Sequence, residues 1–181
     1  QDGRPRLAVQ HRRIHEVPVS GGASSLREAV DLDEDLLRDS CALLGDLGWT
    51  GAAMVEFKVG PDGPSLMEVN GRIWGSLPLA VRAGCDVPRA ILAVHTGDDA
   101  ALEPGLDTRY RRGAQARNLD LELIWIGSVL ARGSRSSSLV EVHRRDALTA
   151  ALDLFRPGAG DDLHAHDDRR PVLTGTRHAV T

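Results

Sequence analysis

A chain of 181 residues with 22 basic and 26 acidic side chains carries a net charge of −4, and it is long enough for one ordinary domain whose core needs no covalent staples. That charge balance excludes a nucleic-acid surface as the main role, and no run approaches the roughly 20 apolar residues of a membrane span. A soluble cytoplasmic protein with neither nucleic acid nor membrane as partner is predicted. Cys41 and Cys85 match no zinc spacing and read as small buried residues of a reducing compartment.

The opening QDGRPRLAVQHRRIHEVP reads as a turn followed by a strand and lacks an initiating methionine. The chain is therefore expected to start inside a larger protein. Arg6 to Val17 has the run of a strand closed by Pro18, and Ser20 to Ser25 reads as a flexible glycine–serine loop. Asp33 is placed to cap a helix over Glu34 to Leu47, with Leu36, Leu37, Leu43, Leu44 and Leu47 on one buried stripe and Gly48 as its stop.

The segment MVEFKVGPDGPSLMEVNGRIWGS, Met54 to Ser76, reads as two alternating strands joined at Pro61-Asp62-Gly63. Proline presets φ and glycine tolerates positive φ, so the turn signal has a mechanism. A turn centred on Asp62 puts Glu56 opposite Glu68 and Met54 opposite Asn70. Val55, Phe57, Val59, Met67 and Val69 then form an apolar face, and Glu56, Lys58, Glu68 and Asn70 a polar one. Two like charges across a strand pair repel, so they need either solvent between them or a cation. Mg²⁺ fits the second case, being a hard ion held by one or two carboxylates plus nucleotide phosphate oxygens. A hairpin with a merely wet polar face fits the first.

Beyond the hairpin, SLPLAVRAG reads as a short helix ended by Gly84, and DVPRAILAVHTGD as a second with Pro88 in its first turn and Gly97 past its end. Both are expected to pack against the sheet, and the HTGD tetrapeptide at His95 to Asp98 is better explained as a helix stop than as a site. From Thr108 a basic strand-like stretch leads to LDLELIWIGSVLARG, a buried helix by its density of apolar residues. ARGSRSSS is a loop and RRDALTAALDLF one more amphipathic helix. Trp49, Trp74 and Trp125 read as core residues. After Pro157 the chain is polar, and the H-x-H of His164 and His166 lacks a third zinc ligand of suitable spacing.

The combination VEF, a turn, then MEVNGR resembles the ATP-grasp family, in particular its branch of carbamoyl-phosphate synthetase and carboxylate–amine ligases. HRRIHEVPVSGGASS and GRIWGSLPLAVRAGCDVP extend the likeness over Pro5 to Gly97. The resemblance implies an α+β fold, an antiparallel sheet with helices packed against it, forming the C-terminal lobe of the nucleotide-binding fold. It implies ATP with Mg²⁺ or Mn²⁺ as cofactors: Glu56 and Glu68 holding metals that bridge the phosphates, Asn70 completing a metal site, and Arg72 stabilising the transferring phosphoryl group. Arg13 is a further candidate for facing phosphate or substrate. Where the family has proline after the asparagine this chain has Gly71, which suggests a looser turn.

The function so implied is ATP-dependent ligation of a carboxylate and an amine, or a related nucleophile, through an acyl phosphate. A noncatalytic nucleotide-binding or interaction module is the alternative, and the joint presence of Glu56, Glu68, Asn70 and Arg72 favours the enzyme. Small carboxylate and amine substrates and upstream lobes of the same chain are the expected partners, and the stretch alone is expected to be inactive. The expected organisation is an ATP-grasp lobe over residues 1–105, an α/β extension over 106–156 and a polar tail over 157–181.

Overall fold

In the computed structural model of the protein, which describes residues 4–132, 135–136, 141–155 and 158–162, the elements run in order β1 (Gln10–Val17), β2 (Ala23–Val30), α1 (Glu34–Asp46), β3 (Met54–Gly60), β4 (Gly63–Asn70), α2 (Leu77–Arg82), α3 (Val87–Thr96), a 3-10 turn (Asp99–Ala101), β5 (Gln115–Arg117), α4 (Leu119–Arg132), β6 (Arg135–Ser136), β7 (Glu141–Val142), α5 (Arg144–Asp153) and β8 (Gly160–Asp161). This is the mixed α+β class, with antiparallel strand pairs and helices, that the sequence implies. Two compact units share the chain: one takes the described residues up to Gln10 with Ala29–Arg112, the other His11–Glu28 with the described residues from Gly113 on. Of the predicted polar tail, residues 158–162 are described and include β8, and Arg135–Ser136 of the predicted ARGSRSSS loop form β6; the rest of the tail with its H-x-H pair, and half of that loop, lie outside the described residues. Among the described residues no helix is long and apolar enough to cross a membrane.

In the first unit Asp33 caps α1, its carboxylate accepting from the Asp35 and Leu36 N–H groups, as its position before the helix requires. The predicted stripe is only half covered, however. Leu36, Leu37, Leu43 and Leu44 are half-buried, and Leu47 is 62% exposed, because it sits past the last helical residue where the chain turns outward through Gly48. Cys41 is likewise half-buried, and only Cys85 is fully enclosed. Burial pushes both thiols up, with the nearby Asp107 adding to the effect at Cys85.

The helices α2 and α3 pack on each other. Pro78 and Pro88 occupy their first turns, and Asp86 caps α3 by accepting from the Arg89 N–H. Gly97 ends α3 in the left-handed conformation, at φ +70°, so the HTGD sequence is indeed a helix stop. The basic stretch after Thr108 is mostly irregular chain with a turn at Arg112–Gly113, since only Gln115–Arg117 joins a sheet. It is pinned in this unit by Tyr110, whose buried hydroxyl donates to the Val30 carbonyl at 2.5 Å while Arg112 stacks over the ring at 4.7 Å.

In the second unit the strands lie in the order β1-β2-β5-β8. β2 pairs antiparallel with β5, Leu26 opposite Arg117, and β5 pairs parallel with β8. The predicted glycine–serine loop is shorter than expected: Ala23 to Ser25 already belong to β2, where Ser25 and Arg27 alternate onto the buried face. Gly22 is required by space, because a Cβ there would run into the Val17 carbonyl oxygen and the Pro18 ring. Helix α4 starts where Asn118 Oδ1 accepts from the Leu121 N–H. Only one side of α4 is buried: Trp125, Ile126 and Val129 meet Ala147 and Ala150 of α5 in the core, whereas Leu123 and Ile124 stay exposed.

Candidate functional site

The hairpin β3–β4 places Met54 opposite Asn70, Val55 opposite Val69 and Glu56 opposite Glu68, the facing that the alternation predicts. The turn does not centre on Asp62, though. Gly60 pairs with Gly63, so the loop is the two residues Pro61 and Asp62, with Gly63 at φ +103°. A bulge between Glu56 and Phe57 absorbs the difference: Phe57 faces Leu66, leaving Met67 as the extra residue. The predicted apolar face is covered only away from the turn. Val59 is 68% exposed and Met67 63%, because the turn end of the hairpin is open on both faces, with Lys58 to Gly60 and Pro64 to Glu68 all exposed.

The polar face survives at the end of the hairpin away from the turn. Asn70 is 8% exposed, and its Nδ2 donates to Glu56 Oε1 at 3.4 Å. That contact occupies the amide nitrogen and leaves the amide oxygen, the atom a metal would use. Glu56 is half-buried and Glu68 exposed, so the pair grades from the body of the unit to solvent. The donor set is two carboxylates and one amide oxygen, all hard ligands. It fits Mg²⁺ or Mn²⁺, which complete their shell with water and substrate phosphate oxygens rather than with a full protein cage. Among the described residues no three histidine, cysteine, aspartate or glutamate side chains converge as a metal cluster.

Arg72 follows two residues later, exposed, its Nη1 donating to the Ile73 carbonyl at 3.1 Å. Gly71 has no left-handed φ, and it is glycine for lack of room: a Cβ would overlap the Trp49 ring at Cη2 and stand 2.8 Å from Cζ2. A proline ring could not occupy that place either. Nothing in the spacing of the sequence brings Trp49 to Gly71, and the contact is visible only in the fold.

Arg13, the remaining candidate, lies on β1 in the second unit, where its Nη1 donates to the Gly22 carbonyl at 2.9 Å and stands 3.4 Å from Glu16. The same unit holds polar residues that sequence reading passed over. Arg27, 2% exposed, is ion-paired with Asp162. Glu122, 1% exposed, accepts from His15 Nδ1 at 2.7 Å, and His15 stacks on Trp125 with ring centroids 3.6 Å apart. His11 beside Arg27 and Arg13 has its pKa lowered to about 4, first by burial and then by the two guanidinium charges. The available signal was the alternation His11, Arg13, His15 along one strand face.

The model of the family described as "ATP-grasp in the biosynthetic pathway with Ter operon" matches residues 1–116, 116 of the chain's 181 residues. The chain belongs to this ATP-grasp family. Its general chemistry is accordingly ATP-dependent and of the ligase type, with ATP and small molecules as substrates. No curated protein and no solved structure matches the chain.

Proposed function

We propose that the protein is an ATP-dependent carboxylate–amine ligase, or a ligase joining a carboxylate to a related nucleophile, working through an acyl phosphate. The observation that carries this reading is the Glu56–Glu68 facing with Asn70 hydrogen-bonded to Glu56. Two opposed carboxylates in one strand pair are unfavourable by themselves, and a hard divalent cation turns that repulsion into a binding site. In this reading Glu56, Glu68 and the Asn70 amide oxygen hold Mg²⁺, which when bound supplies charge neutralisation at the ATP phosphates.

Arg72 then acts on the transferring phosphoryl group, where a planar guanidinium meets two oxygens at once. Phosphoryl transfer asks the protein for positioning and charge rather than for covalent chemistry. The carboxylate oxygen attacks the γ-phosphorus, ADP leaves, and the amine displaces phosphate from the acyl carbon. The intermediate is needed because a carboxylate oxygen is a poor leaving group and a phosphate a good one. Arg13 is assigned a supporting place toward phosphate or substrate.

The test is a hydroxylamine trap in the full-length protein. Mg·ATP with a panel of carboxylates should yield hydroxamate and ADP for the accepted acid. Formation of AMP and pyrophosphate instead would assign the activation to adenylation and reject the acyl phosphate.

A further inference from the structure

We propose that Trp49 is a positioning residue for the Asn70–Gly71–Arg72 turn, doing by packing what a proline after the asparagine would do by fixing φ. The inference rests on the reading of Glu56, Glu68, Asn70 and Arg72 as the Mg·ATP site. Its own ground is a steric relationship. The indole fills the volume that a side chain at residue 71 would need, with Cη2, Cζ2 and Cζ3 all near the ideal Cβ position. Gly71 is not in a backbone conformation reserved for glycine, so its lack of a side chain serves the ring and not the turn.

The ring is itself held at its root. Trp49 N–H donates to the Leu44 carbonyl at 2.9 Å, and Gly48 at φ +59° lets the chain leave α1 at that point. Its buried Nε1 has no hydrogen-bond partner among the described residues. An indole N–H left unpaired costs free energy, so shape rather than a polar contact keeps the ring against Gly71. The consequence falls on both neighbours: Asn70, which must present its amide oxygen beside Glu56, and Arg72, whose exit direction from the turn is set at Gly71. Residues 49 and 71 therefore form one unit of sequence, tryptophan with glycine or a smaller residue with proline.

The experiment compares Trp49→Leu, Gly71→Pro and the double variant in the full-length protein, reading Mg·ATP affinity by calorimetry beside thermal melts. Trp49→Leu should weaken Mg·ATP binding about tenfold, the size typical of losing support behind a ligand. Adding Gly71→Pro should restore most of that loss, while Gly71→Pro alone should clash with the ring and bind worst. A double variant no better than Trp49→Leu, or a Trp49→Leu protein with unchanged affinity, would overturn the proposal. If Trp49→Leu does not fold, Trp49→Phe with and without Gly71→Ala carries the same comparison. Glu68→Gln serves as the control: unchanged affinity there rejects the site reading itself, whereas a loss there with none at Trp49 rejects only the positioning role.

Discussion

Asn70 Nδ2 donates to Glu56 Oε1 across the end of the β3–β4 hairpin, at 3.4 Å, directly beside the opposed Glu56 and Glu68. Glu68→Gln should consequently have effects of opposite sign on two measurements. Without metal it relieves a cross-strand repulsion, so stability should hold or rise by about 0.2–1 kcal/mol in urea unfolding. With metal it removes half the paired charge, so calorimetry should show weaker Mg·ATP binding. Identical affinity in the variant would take Glu68 out of the site.

Arg72 separates chemistry from binding. If its guanidinium meets charge that develops only during transfer, Arg72→Ala should lower kcat on the order of 10²-fold while nucleotide affinity changes much less. Arg72→Lys should recover little, because a point charge cannot replace the two-pronged contact. Equal losses in binding and turnover would make Arg72 a plain phosphate anchor.

Local signals were read well from the sequence because their causes are local. Asp33 caps α1 and Gly97 ends α3 where their chemistry requires, and the Glu56–Glu68 facing follows from period-two alternation. That last agreement was partly fortunate, since the turn is one residue shorter than read and the bulge at Met67 restores the register. What alternation could not show is which face the fold covers. Val59 and Met67 are apolar and exposed, Arg27 and Glu122 charged and buried. Burial of that second kind depends on partners distant in sequence: Glu122 lies 107 residues from His15.

The His15–Glu122 pair should show an asymmetry on mutation. Glu122 is 1% exposed, and its Oε2 has no hydrogen-bond partner among the described residues. Replacing His15 by Phe keeps a ring on Trp125 but leaves the carboxylate without its contact, which should cost about 3–5 kcal/mol. Glu122→Met removes the buried charge with the group that needed it and should cost less, about 1–3 kcal/mol for the donor left at His15. The double variant should recover most of the His15→Phe loss. Urea unfolding of the three proteins decides the matter, and additive losses would mean that the contact carries no coupling energy.

Acid should weaken the second unit through His11. Its folded pKa, lowered to about 4 from an ordinary 6.5 by burial and by Arg27 and Arg13, means that the unfolded chain takes up the proton first as pH falls. The contribution is therefore full above about pH 6.5, lost progressively between there and about pH 4, and constant below. At 1.36 kcal/mol per pKa unit the loss across that window is about 3 kcal/mol. Asp162 works the other way: burial raises its pKa despite Arg27, so the folded state binds that proton first and gains on acidification. Its effect belongs to the carboxylate range, at the acid end of the window. His11→Gln should accordingly flatten the stability curve from pH 6.5 to about 4.5 while leaving the carboxylate range below it unchanged. Denaturant midpoints at several pH values in both proteins provide the measurement, and parallel curves would show that His11 takes up its proton as easily folded as unfolded.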